Sequence, residues 1–101
     1  MTGTYEIGFI VTPDSPDEEV KKIIESVSGI IKKGNGNVAR VDEWGVRKLA
    51  YPIKKYSDGV YVFIQAETDD GQMIAQVERR LRQLERVVRF ITLRLDERLK
   101  K

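Results

Sequence analysis

Apolar residues recur at every second position from Tyr5 to Val11 and then at every third or fourth from Val20 to Ile31, and the chain makes this change of period twice. Alternation places Tyr5, Ile7, Phe9 and Val11 on one face of a strand. The later spacing, through Val20, Ile23, Ile24, Val27, Ile30 and Ile31, draws a single stripe along a helix of about five turns. Ser15-Pro16-Asp17-Glu18 supplies the helix start: Ser15 can cap, Pro16 suits the first helical position, and Glu18 can reach back to complete a capping box. Gly34-Asn35-Gly36-Asn37 ends it, because glycine takes the left-handed conformation cheaply.

The second round of the pattern is longer. Residues 38–46 read as a strand whose alternation falters at Trp44-Gly45, where a bulge or bend is expected. Residues 47–58 are predicted as a loop, and Gly59 opens a third strand. On that strand Val60, Val62, Ile64 and Ala66 share one face, and Tyr61, Phe63, Gln65 and Glu67 share the other. Asp69-Asp70-Gly71 starts a second helix with a core stripe at Ile74, Val77, Leu81 and Leu84. Arg79, Arg80, Arg82 and Arg86 cover its remaining surface, with Glu78 and Arg82 spaced to pair. Residues 87–95 form the fourth strand, and 96–101 are a charged tail, frayed or weakly helical. The prediction is one α+β domain over residues 1–101 with its core at about 4–95. Its order, β-α-β-β-α-β, is that of the ferredoxin-like fold: a four-stranded antiparallel sheet, two helices on one face, the other face open. A fold of this kind hosts many unrelated activities and does not by itself assign one.

Composition narrows the chemistry. With no Cys and no His, there is no ordinary zinc site, no thiol nucleophile and no imidazole base. No metal site and no cofactor are expected. No apolar run approaches the length of a membrane span and no secretory signal is visible, so a cytosolic protein is expected. The net charge is only +2, but it is unevenly spread. Residues 1–46 hold 5 Lys/Arg against 8 Asp/Glu, and residues 47–101 hold 13 against 8, so −3 precedes +5. A basic second half suits a polyanionic partner, although mixed helix faces give the same asymmetry.

Three stretches could carry function. The turns into both helices are acidic, which repels phosphate where a phosphate site needs bare amides. Tyr61 and Phe63 alternate on the face expected to be open, where aromatics either stack bases or pack against side chains or a partner protein. The octapeptide of RNA-recognition motifs is absent. Arg47, Lys48, Lys54 and Lys55 bracket Leu49-Ala50-Tyr51-Pro52-Ile53, so a basic loop around a stiff hinge could touch phosphates or simply be solvated.

Trp44-Gly45-Val46-Arg47-Lys48-Leu49-Ala50-Tyr51-Pro52-Ile53 closely resembles the signature of bacterial small-subunit ribosomal protein six. Tyr5-Glu6, Gly59 with its aromatic run, and Val88-Arg89 also resemble that family, so the likeness spans about residues 4 to 95. The resemblance implies a non-catalytic protein that binds the central domain of 16S rRNA as a heterodimer with small-subunit ribosomal protein eighteen. It implies Arg47, Lys48, Lys54, Tyr5, Arg89 and Arg94 as RNA-facing residues. Tyr61 and Phe63 oppose Val62 and Ile64, so a lone monomer would leave a second apolar face wet, and these two are expected on the partner-protein face. Trp44 stands where many members carry leucine or another apolar residue. Two alternatives stay beside this reading. One is a non-ribosomal ferredoxin-like regulatory or ligand-binding module. The other is a small hydrolase of acylphosphatase type, disfavoured because the first turn is acidic and no arginine-bearing anion loop follows the first strand.

Overall fold

In a computed structural model, which describes residues 3–53 and 55–95, the elements run β1 (Gly3–Val11), α1 (Asp17–Lys33), β2 (Asn37–Ile53), β3 (Tyr56–Thr68), α2 (Gly71–Gln83) and β4 (Val87–Arg94). They form one sheet in the order β2-β3-β1-β4, with each neighbouring pair antiparallel. Both helices cover the same face, as expected from the order of elements. The core lies between, built from Ile7, Phe9 and Val11 of β1, Val62 and Ile64 of β3, and the two helical stripes. The expected alternation on β3 holds from Val60 to Thr68: even-numbered residues are buried and odd-numbered ones half-exposed. The charged tail expected at 96–101 lies outside the described residues.

The helix ends depart from expectation in instructive ways. Pro16, not Ser15, occupies the position before α1, and no side chain caps it. The Ser15 hydroxyl is already engaged, bonded to the Thr12 hydroxyl at 2.6 Å and accepting from Arg86 at 3.2 Å. Asp17, Glu18 and Glu19 fill the first turn and Lys32 and Lys33 the last, so charge against the helix dipole supports the ends. At the other end Asn35, not a glycine, takes the left-handed conformation, at φ 61°. Gly34 is needed for room, since a Cβ there would stand 2.9 Å from Met73 Cγ. Along α1, Val20, Ile23, Val27 and Ile31 are buried, whereas Ile24 is only partly covered. The stripe keeps its centre near Val27, with Ile24 at its margin. α2 starts after Asp69-Asp70 as expected, and Asp70 serves as its cap, its carboxylate accepting from the Gln72 amide at 3.0 Å. The spacing of Glu78 and Arg82 suggested a pair, but Glu78 accepts from the Thr92 hydroxyl at 2.6 Å. Arg82 lies over the Phe90 ring, 5.5 Å from its centre.

The largest correction concerns residues 47–58. They are not a loop but the outer arm of a long hairpin: β2 continues to Ile53 and β3 begins at Tyr56, with Ile53 paired to Tyr56. Just before Tyr56, Lys55 holds φ 74°. Pro52 sits where the pairing shifts register, between Lys48 and Ile53, the edge-strand position a residue without an amide hydrogen can occupy. The bulge expected at Trp44-Gly45 is present. Pairing slips between Glu43 and Gly45, and Gly45 holds φ 75°, the left-handed geometry that favours glycine at a bulge.

Candidate RNA and partner interface

The sheet face away from the helices carries the residues of interest. Alternation puts Glu6, Gly8 and Ile10 of β1 there, with Tyr61 and Phe63 of β3 paired beside them. Arg89 and Ile91 of β4 face Ile10 and Gly8 across the other side of β1. The hairpin arm curls over this surface. Tyr51 reaches from β2, across β3 and β1, and its hydroxyl accepts a hydrogen bond from Arg89 Nη1 on the far strand. Beneath the arm lies a groove of about 280 Å³, lined among others by Leu49, Tyr51, Ile53, Phe63, Arg89 and Ile91. Leu49 is buried, while Tyr51 and Ile91 are about half exposed. The surface is therefore apolar in its centre with a cationic group at its rim.

Two positions fix this arrangement by their lack of a side chain. A Cβ on Gly59 would meet Ile10 Cγ2 at 2.3 Å, and a Cβ on Gly8 would meet the Phe63 ring at 2.8 Å. The arm can lie close to β1, and Phe63 can lie flat over the strand, because both positions are bare. Trp44 adds a third ring to Tyr61 and Phe63. Its centre lies 6.3 Å from Tyr61 in a stacked arrangement and 4.7 Å from Phe63 at a tilt of 49°.

The residues singled out in the sequence do not share one place. Arg47 is paired with Gly59 and Lys48 with Asp58, so these consecutive cations point to opposite faces of the arm. Both are exposed. Arg47 makes one hydrogen bond, to the neighbouring Val46 carbonyl at 3.0 Å, which leaves most of its five donors available. Lys54 lies outside the described residues. Arg89 joins the arm through Tyr51. Tyr5 and Arg94 face each other in the β1–β4 register, but on the helix side of the sheet. There the Arg94 guanidinium lies 5.8 Å from the Tyr5 ring centre, and the Tyr5 hydroxyl sits beside Gly71 at the start of α2. Tyr61 and Phe63 lie on the open face as expected.

Sequence reasoning missed the Tyr51–Arg89 link, the groove walls at Leu49 and Ile53, and the part played by Trp44. The signal for the walls was present, since 49, 51 and 53 keep a period of two. Pro52 hid it, because a proline within such a run demotes a strand reading.

Comparison with known proteins places the fold and the motif in one lineage. The family model described as ribosomal protein S6 matches residues 4–94. A small ribosomal subunit protein bS6 from Acidobacterium capsulatum is 44% identical over 97 residues, covering 96% of this chain and 68% of that protein. The bS6 of Koribacter versatilis is 41% identical over 101 residues, covering 100% and 68%. The crystal structure of 30S ribosomal protein S6 from Thermotoga maritima superposes with a TM-score of 0.88 at 34% identity, covering 99% of this chain and 94% of that one. The de novo designed protein Foldit4, 17% identical with a TM-score of 0.61, shares the fold alone. A family model that spans the whole sheet and both helices, joined to relatives this similar along nearly the full length, shows that this chain belongs to the ribosomal protein S6 family.

Proposed function

We propose that the chain grips the central domain of 16S rRNA through its hairpin arm while the open sheet face receives a second protein, small-subunit ribosomal protein eighteen, and that it catalyses no reaction. As a small-subunit ribosomal protein it is an RNA-binding component of translation, and its place is the cytoplasmic ribosome. The observation that carries the finer reading is the arm itself. Residues 47–55 hold four Lys/Arg and no acid, whereas the whole chain nets +2. Everything outside the arm therefore sums to −2, so the arm carries more than the chain's whole net positive charge, which suits a polyanion. Arg47, Lys48 and Lys54 meet phosphates or sugar edges in this reading, with Arg89 beside them. Arg94 and Tyr5, on the other side of the sheet, form a separate contact. Tyr61 and Phe63 belong to the protein partner, since they help form an exposed apolar surface of the kind that marks interfaces.

The test is a salt titration of a 16S central-domain transcript with the partner protein present. Changing Arg47 and Lys48 together to Ala should weaken binding and flatten the salt slope by roughly one to two units, close to one per lost phosphate contact. Fold stability should shift by no more than about 0.5 kcal/mol, as both side chains are exposed. Equal affinities with parallel slopes would place the RNA surface elsewhere.

Purified protein should also show no turnover of acyl phosphates or other phosphoesters above background. The first helix opens on Asp17, Glu18 and Glu19, which disfavours a phosphate at the one turn where related folds hold it. Turnover that co-purifies with the chain and vanishes on a single substitution would sink this expectation.

A further inference from the structure

The open face is polarised along its strands, and its acidic end carries the aromatic cluster. Asp42 pairs with Phe63 and Arg40 with Gln65 across β2 and β3, while Glu6 pairs with Gln65 and Glu67 with Thr4 across β1 and β3. On this half of the face, three carboxylates stand against one guanidinium. That guanidinium is occupied, since Arg40 bonds the Asp42 carboxylate at 2.9 Å. Glu67 accepts only from the Asn37 amide, at 3.3 Å, and no ion pair reaches Glu6 among the described residues. Into this half the Gly45 bulge turns Trp44, whose surface stays 51% exposed although it touches two other rings. Phe63 fixes the platform from below, held between Trp44 and the bare backbone of Gly8.

We infer that Trp44, on its Tyr61–Phe63 platform, binds a guanidinium side chain of the protein partner, with Glu6 and Glu67 receiving further cations of the same segment. This deepens the reading of the open face as the partner surface and rests on it. The charge decides between the two kinds of ligand an exposed indole could take. A nucleobase would bring its phosphates toward Glu6, Asp42 and Glu67, which repel them. A cation on the same ring gains from the ring quadrupole and from the carboxylates together. Arginine fits better than lysine, because its planar group stacks on an aromatic face and sheds water more readily. The face thus divides its ligands, with RNA at the cationic hairpin end and a basic protein segment at the acidic end.

The chain has a single tryptophan, so its fluorescence reports Trp44 alone. The full chain is titrated with ribosomal protein eighteen while emission is read, and complex formation is followed independently by sedimentation. Partner binding should change the emission saturably, and the 16S transcript alone should leave it unchanged. Trp44→Leu should weaken the complex about 5- to 20-fold, the range a desolvated cation–ring contact commands. The pair Glu6→Gln and Glu67→Gln, which keeps the indole signal, should weaken it too and reduce its dependence on salt. A complex that forms with unchanged emission and full affinity in both variants would overturn the inference while leaving the partner reading intact. Emission that responds to the transcript alone would overturn it in favour of base stacking. Absence of any complex in sedimentation would remove the partner reading and this inference with it.

Discussion

Replacing Leu81 with Ala should destabilise the fold by about 2–5 kcal/mol, the cost of removing a large aliphatic side chain from a packed core. Leu81 is 1% exposed and sits on the buried stripe of α2 with Met73, Ile74 and Val77. Ile24→Ala should cost less, under about 2 kcal/mol, because that side chain is only partly covered and its neighbours can relax toward water. Urea denaturation of the two variants, read at unchanged slope, makes the comparison. Equal losses would mean that α1 presents a different face to the sheet, with Ile24 nearer its centre.

Gly59→Ala should cost about 1–3 kcal/mol, as overpacking does in a site without spare room. The added Cβ would sit 2.3 Å from Ile10 Cγ2, 3.4 Å from the Val11 carbonyl oxygen and 3.5 Å from Leu49 Cδ2. Ile10 cannot swing aside freely, since branching at Cβ restricts its χ1. The hairpin arm must then lift from β1 and carry Arg47, the cross-strand partner of Gly59, with it. RNA binding should weaken, and its salt slope should flatten by about one unit for each phosphate contact that the displaced arm loses. Adding Ile10→Ala should recover part of the loss, and the size of the recovery measures the coupling. Full additivity of the two changes would show that the arm does not depend on this approach.

The contrast between α2 and the arm shows what the sequence discloses. The α2 stripe is a local pattern, set by residues within a few positions: Ile74, Val77 and Leu81 read correctly from it, with Met73 added to the buried set and Leu84 only partly covered. The open face was legible only as a pair of aromatics at 61 and 63. Its third ring depends on a bulge that turns Trp44 out of simple alternation, and its cover depends on Tyr51 reaching Arg89, 38 residues away. Neither contact leaves a mark in local spacing. Tyr5 differs: alternation alone put it on the face of Ile7, Phe9 and Val11, the core side, and its cross-strand partner Arg94 shares that side. The Ser15 cap failed for a further reason: a hydroxyl with two better-placed partners, Thr12 and Arg86, does not turn to the helix.

β2 runs for 17 residues along the border of the sheet, and a long straight border is an invitation to self-association through unpaired backbone groups. Here the invitation is withdrawn at several points. The ladder changes register three times, between Val38 and Arg40, Glu43 and Gly45, and Lys48 and Ile53. Gly45 twists the strand, Pro52 removes a donor, and Arg47 and Lys48 place charge between them. Along β2 a second copy meets only short regular runs to pair with. The same irregularities that shape the arm thus make β2 a poor template for edge-to-edge pairing.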